Sequence, residues 1–443
     1  MSTALGHIAK PAESMGGRQA SVPDAVPLWQ RLRTWWLLLP LFYFATDGQM
    51  VSMNREQIST SGLSATQVAI GLLFWVIAVL HIASSFRATV KAAITNWEIT
   101  LFTVYAIISA SWSPDPLDSL RKVVFLTILV LFSYFLLEKY SPEEQMRLIF
   151  ATGCLAIIAS YLVVAFVPGR GIEPGAGSQW NGIFGHKNNL GIYTALYVLP
   201  FFFLRSRMSL LKIANWGWVV LALIAIYKSE ARTGWVVCLF LAGYLMVASL
   251  LKRLKPKDAL AGFFVVISLV GLVVWVIFAN LSFFTSIMGK DTTLTGRTDI
   301  WMLSLWALKK HMLFGYGYAG FWGGMTSESN AVIVQIASII SGQEHTYHAH
   351  NAILNLALQL GIIGTAILVF AIIMAFRNAF IAFFRYRSSA ALWYAGTLLA
   401  MCIAGSDESL FMNYLSLMTV LLVLSCAGLR KLARGEIVPV EQS

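Results

Sequence analysis

The chain has 443 residues, 58% of them hydrophobic and only 12% charged, with a mean hydropathy of +0.71. That composition excludes an ordinary water-soluble globule and identifies a polytopic membrane protein. The formal net charge of +11 reads as anchorage to anionic inner-leaflet lipid rather than as a nucleic-acid footprint, because its carriers sit in short loops between apolar runs.

The N-terminal segment, residues 1–34, is rich in Ala, Ser, Pro and Gly and lacks the apolar core of a cleavable signal. It is expected to be a disordered cytoplasmic tail. Apolar runs of roughly 17 to 25 residues, the length that crosses a bilayer as helix, then recur to about residue 429. They predict about twelve spans, near 35–53, 68–85, 97–113, 123–138, 148–167, 189–204, 214–228, 233–251, 260–280, 351–376, 390–404 and 410–429. Asp47 and Gln49 interrupt the first, and the seventh is short. The expected fold is therefore an all-α integral membrane protein. Spans one to nine occupy 35–280, one long periplasmic loop occupies 281–350, spans ten to twelve occupy 351–429, and a cytoplasmic tail occupies 430–443.

Basic residues stay on the cytoplasmic side of short loops. With both termini inside, 21 of the 32 Lys and Arg fall on that side. The eleven left outside are exceptions to the rule, and several of them cluster in polar motifs. The four cysteines, Cys154, Cys238, Cys402 and Cys426, lie at wide spacings inside apolar runs and imply neither a disulfide framework nor a CxxC metal site.

The first outer motif is WNGIFGHKNNLG, 180–191, which leads into the sixth span. Asn188 or Asn189 is placed to cap that helix. His186 and Lys187 beside a helix start suit contact with an anion or a sugar, although a capped loop with a snorkelling lysine would read the same way. The second is KSEARTGW, 228–235, where two spans turn with no room for a long loop. Either Glu230 pairs with Arg232 or Lys228 at the surface, or Arg232 points into a cavity between helices, where a charge marks function.

The long loop carries LTGRTDIW, 294–301, at the head of an amphipathic helix whose Trp301, Leu305, Leu308 and Met312 share one face. Thr295 or Thr298 is its expected N-cap. Arg297 then sits at the positive end of the helix, unfavourable unless an anion is bound or Asp299 pairs with it. GYGYAGFWGGM, 315–325, alternates Gly with aromatics. It reads either as a wall on which sugars stack or as loop packing.

The last motif is EHTYHAHNAILNLALQLGIIG, 344–364. Its three histidines with Glu344 fall short of a spaced zinc set, which needs three or four ligands in fixed geometry, and no metal is expected. Asn351 reads as the N-cap of the apolar helix. His348 or His350, poised at the mouth of that helix with arginines in neighbouring outer loops, suits a general base beside an anion clamp. Arginine holds phosphate through a forked pair of hydrogen bonds. Fixed cations stabilise a leaving diphosphate while a histidine takes a proton from the attacking hydroxyl. Glycosyl transfer from a lipid diphosphate, with the tail entering from the bilayer, fits that set.

These five motifs, in this order along a twelve-span pattern, resemble the O-antigen ligase and Wzy-type polymerase superfamily, in particular its ExoQ-like exopolysaccharide polymerase branch, over about residues 35–430. The resemblance implies a GT-C-type inner-membrane glycosyltransferase with no cofactor and no metal, working at the periplasmic face. It implies a donor of undecaprenyl-diphosphate-linked oligosaccharide, contact with membrane lipid and with chain-length regulator and export proteins, and no nucleic-acid partner. By motif it makes Arg232 and Arg297 the diphosphate ligands and His350 the base, with His186, Lys187, Asn188, His348 and Asn351 in substrate binding. A polymerase passes the chain to another lipid-linked repeat unit, whereas a ligase passes it to lipid A core or protein. A polytopic transporter would place its charges near the midplane on broken helices, and here they gather in outer loops.

Overall fold

The computed structural model describes residues 36–48, 65–173, 178–204, 209–255, 258, 297–339 and 348–436. The chain divides into two units, Met1–Trp36 and Leu37–Ser443, and the fold is that of the second. In chain order its described α-helices of eight residues or more are α1 (Leu38–Ala45), α2 (Ala65–Ala83), α3 (Phe86–Thr95), α4 (Trp97–Ser109), α5 (Pro116–Lys139), α6 (Pro142–Phe166), α7 (Lys187–Val198), α8 (Ser209–Ser229), α9 (Arg232–Arg253), α10 (Arg297–Lys310), α11 (Ser327–Ile339), α12 (Ala352–Tyr386), α13 (Ser389–Gly405) and α14 (Leu417–Ala433). Among the described residues the architecture is all-helical apart from one isolated bridge, Ile172 to Trp180.

Local sequence sets the helix starts. Asp115 caps α5, its carboxylate accepting the Asp118 N–H at 3.0 Å, and Pro116 occupies the first turn. At α6, Ser141 and Glu144 form a reciprocal capping box ahead of an apolar run. Residues Leu417 to Leu429 of α14 are all buried, and α5, α12 and α13 pack around them. A helix apolar on every side belongs in a core, and α14 is the axis of this one. At its C-terminal end Arg430 pairs with Glu98, and Lys431 Nζ lies 3.0 Å from Glu138 Oε2.

Four helices are long and apolar enough to cross a membrane: α5, α6, α9 and α12. The pair α2 and α3, bent by 86°, would make a fifth. The described residues thus hold fewer membrane-length helices than the twelve spans the sequence predicts, and the breaks have physical causes. α1 stops after 8 residues, where Asp47 and Gly48 both take positive φ. α7 runs 12 residues before Pro200 tightens it into a 3-10 turn, and at 1.5 Å per residue that is about 18 Å, short of a bilayer core of about 30 Å. Arg87 and Lys91, read as a loop, lie in α3, and residues 410–416, read as the start of the twelfth span, are non-helical. The ninth span, 260–280, lies outside the described residues.

Helix α12 is 35 residues long and broken at Gly361 (φ 63°, ψ −170°). Into that break docks the segment after α10. Tyr316 N–H donates to Leu358 O at 2.9 Å, and Ile362 N–H donates to Met312 O at 2.9 Å. The break thereby fixes α10, which carries Arg297, against a membrane-length helix.

Candidate active site

Five segments bring polar groups together: the N-termini of α7, α9 and α10, the turn 348–351 before α12, and the loop 406–416 between α13 and α14. The turn is held from several directions. Asn351 accepts the Leu354 N–H at 3.0 Å as N-cap of α12 and reaches Ser406 O at 3.4 Å. Trp301 Nε1 of α10 donates to Ala349 O at 3.0 Å. Within it His350 has φ 46°, a left-handed backbone that a non-glycine residue adopts at a cost and that recurs at functional sites.

Glu408 is the hub. Its side chain is 5% exposed, and a carboxylate so placed requires partners. Asn188 Nδ2 donates to Oε1 at 2.6 Å. His350 Nδ1 lies 3.6 Å and Arg297 Nη2 4.0 Å from Oε1, while His348 Nε2 is 3.8 Å from Oε2. The neighbouring Asp407 takes a hydrogen bond from Arg297 through Nη1 and another from Thr233 Oγ1. The starts of α9 and α10 therefore meet on one carboxylate.

The hydrogen bonds assign the proton on His348. Its Nδ1 accepts the His350 backbone N–H at 3.1 Å and faces Ser409 Oγ at 3.4 Å, which leaves the proton of the neutral ring on Nε2, the atom toward Glu408. Burial, reinforced by His350, lowers the pKa of His348 and outweighs the pull of Glu408. His186 is lowered for the same first cause. On Glu408, burial acts to raise the carboxyl, but the facing His350, His348 and His186 outweigh it, and the group lies below the usual carboxylate range.

His348, His350 and Glu408 offer ligand atoms within 4.8 Å of one another, close enough to gather around a cation. The bonding pattern opposes that use. His348 Nε2 carries its proton where a metal would need a lone pair, and Glu408 Oε1 is already taken by Asn188 beside the Arg297 guanidinium. The cluster is better suited to a carboxylate–histidine network.

The sequence expectations meet this geometry unevenly. Arg297, His348, His350, Asn351 and Asn188 converge. Arg297 pairs with Asp407 rather than Asp299. The N-cap of α7 is His186, whose Nδ1 accepts the Asn188 N–H at 3.3 Å, so Asn188 is free to reach Glu408. Lys187 Nζ donates to Gln179 Oε1 at 2.6 Å, and Gln179 in turn donates to Glu230 at 2.9 Å, so Glu230 pairs with neither Arg232 nor Lys228. Arg232 is exposed and begins α9 directly beside Thr233.

Thr298 lies inside α10 and does not cap it; Thr295, Glu344 and His345 lie outside the described residues. The buried face of α10 is Ile300, Ser304 and Ala307, with Leu305 and Met312 exposed, so the expected stripe is rotated. GYGYAGFWGGM is loop packing. Tyr316, Tyr318 and Phe321 are buried, with Tyr316 Oη donating to Ala307 O at 3.0 Å and Tyr318 Oη to Met412 O at 2.6 Å.

Asp407, Glu408 and Thr233 did not figure among the expected site residues. A signal was present: SDES, 406–409, is an acidic turn on the same predicted side as the arginines and histidines.

Residues 217–369 match the family model for O-antigen ligase. Over 284 residues the chain is 25% identical to the exopolysaccharide production protein ExoQ of Rhizobium meliloti (strain 1021). That similarity covers 63% of this chain and 64% of ExoQ, just under two thirds of the relative's length. The chain thus resembles the O-antigen ligase family and its ExoQ-like proteins. The family match includes Arg232, Arg297 and His350 and ends before Asp407 and Glu408.

Proposed function

We propose that the protein is an exopolysaccharide polymerase of the inner membrane, with both termini cytoplasmic and its site facing the periplasm. It would transfer a glycan from undecaprenyl diphosphate to a sugar hydroxyl of another lipid-linked repeat unit. The observation that carries the reading is the meeting of Arg297 Nη2 and His350 Nδ1 at one carboxylate oxygen of Glu408, at 4.0 Å and 3.6 Å. A permanent cation and an imidazole are thereby held side by side at the mouth of α12.

In the proposed reaction His350 accepts the proton of the acceptor hydroxyl as its oxygen bonds to the anomeric carbon. The bond from that carbon to the diphosphate oxygen breaks, and undecaprenyl diphosphate leaves with the electron pair. Arg297 and Arg232 neutralise the charge that grows on it, a task that fixed guanidinium groups perform without a metal. His186, Lys187, Asn188, His348 and Asn351 shape the pocket for the sugars. The twelve-span arrangement with the 281–350 loop in the periplasm belongs to this proposal, as do chain-length regulator and export proteins as partners.

Cells carrying His350→Ala, Arg232→Ala or Arg297→Ala test it, with protein level checked by blot. Loss of long polymer with build-up of single lipid-linked repeats supports the reading. Polymer of normal length and amount overturns it. The family model's description, O-antigen ligase, keeps a second reading in view, transfer to lipid A core or protein. Lost glycan on those acceptors, with free polymer unchanged, would favour it.

A further inference from the structure

We propose that Glu408 is the positioning residue for His350, orienting its ring through Nδ1 and balancing the charge that the ring acquires as it takes the acceptor proton. This rests on the glycosyl-transfer reading above.

The geometry supports a specific division of labour between the two ring nitrogens. His350 Nδ1 is buried and has no hydrogen-bond partner, an uncomfortable state for a ring nitrogen. The carboxylate oxygen nearest it is Glu408 Oε1 at 3.6 Å, beyond a true hydrogen bond by less than 1 Å. Such bonds are often slack in the empty site and close when substrate arrives. With its proton on Nδ1 and aimed at Glu408, His350 presents the Nε2 lone pair to the acceptor hydroxyl. When that proton transfers, the O–H bond breaks, an N–H bond forms on Nε2, and the imidazolium stands next to a fixed negative charge.

Glu408 is itself locked. Asn188 holds Oε1 at 2.6 Å, and His348, whose proton lies on Nε2, faces Oε2 at 3.8 Å.

A merely structural Glu408 would tie Asn188 and Arg297 in place and affect donor binding or folding. A positioning Glu408 acts on the chemical step. The test uses full-length protein in lipid nanodiscs, with undecaprenyl-diphosphate-linked repeat units extracted from cells lacking the polymerase. Glu408→Gln keeps the shape and an acceptor for Asn188 while removing the charge. The expected result is a fall in kcat of about 100-fold or more, a donor KM within about threefold of wild type, and an acid limb of the kcat profile displaced to lower pH. In a His350→Ala background, Glu408→Gln should add no further loss.

Unchanged kcat and acid limb in Glu408→Gln, with His350→Ala inactive, overturn this proposal and leave the polymerase reading standing. Full activity in a well-folded His350→Ala protein overturns the reading itself. Should Glu408→Gln fail to accumulate, Glu408→Asp replaces it: the charge is kept but withdrawn by one methylene, so kcat should fall less, and a wild-type kcat there counts against the proposal.

Discussion

The Arg297 guanidinium is hydrogen-bonded to the Asp407 carboxylate, a partner 110 residues away along the chain. Thr233 donates to the other oxygen of the same carboxylate, so Asp407 ties the start of α10 to the start of α9, one residue after Arg232. In the proposed reaction an incoming diphosphate competes with it for Arg297. Asp407→Asn retains groups for Thr233 and Arg297 but removes the competing charge. The donor KM should fall about threefold to tenfold, equivalent to about 0.7–1.4 kcal/mol, with kcat little changed. Donor titration of the purified variant checks this, and a higher KM would show that Asp407 organises the clamp rather than competing for it.

Arg297 itself is predicted to be irreplaceable by lysine. Its Nη1 reaches Asp407 while Nη2 lies 4.0 Å from Glu408 Oε1, a two-pronged use that an ammonium point charge cannot reproduce. Arg297→Lys should lose about 100-fold in kcat/KM and Arg297→Ala about 1000-fold, the range found when a preorganised transition-state donor is removed. Steady-state rates on lipid-linked repeats decide it, and near-wild-type activity in the lysine variant would remove the fork from the mechanism.

Much of the scaffold is legible in the sequence, and so is one side of the site. Long uninterrupted runs such as those of α5, α6 and α12 declare themselves because length and apolarity suffice. Arg297 and His350 are visible because polar residues at the edge of apolar runs are costly and conspicuous. Asp407 and Glu408 are marked only by the acidic turn SDES, 406–409, because nothing near them in sequence repeats a ligand spacing. Their meaning arises only when the 406–416 loop folds against α7, α9, α10 and the turn before α12. Helix phase is similarly hidden in α10. Trp301, Leu305 and Leu308 share one face of it, yet the residues it buries are Ile300, Ser304 and Ala307, where the small Ser304 and Ala307 admit a close neighbour. The break at Gly361 is read from backbone angles, and one glycine inside an apolar run does not announce it.

Acidification should loosen the site before it affects the membrane helices. His348 is pushed down to about 3, first by burial, from about 6.5 in an unfolded chain. Between these values the unfolded state takes a proton that the folded state refuses, so stability is fully present above about pH 6.5 and is lost as pH falls. Glu408, also lowered, adds loss in the same direction below the ordinary glutamate range near 4.3. The His348 side chain is 27% exposed, which moderates the effect. Melting temperature measured from pH 7.5 to 4.5 should decline, and His348→Asn, which keeps an acceptor near the position of Nδ1, should flatten the decline. An equally steep decline in the variant would assign the pH sensitivity elsewhere.

Gly361 should tolerate no side chain. Its φ of 63° with ψ of −170° lies in a region essentially reserved for glycine, and a Cβ there would fall 2.5 Å from Phe314 N and closer still to Leu313 O. Those atoms belong to the segment that docks into the break, where Tyr316 N–H and Leu358 O, and Ile362 N–H and Met312 O, replace the helix's own hydrogen bonds. Backbone strain alone costs about 1–3 kcal/mol, and the steric clash adds to it. Because the docked segment follows α10, undocking would release Arg297 together with the helix that bears it. Gly361→Ala should therefore lower the melting temperature by several degrees and reduce polymer synthesis in parallel. A methyl group added at Gly243 in α9 would meet nothing within 4 Å, so Gly243→Ala should leave both unchanged or slightly raise stability through helix propensity. Thermal unfolding of the two variants, measured side by side with polymer output, separates the cases: if Gly361→Ala melts like wild type, the break is not what seats α10 against α12.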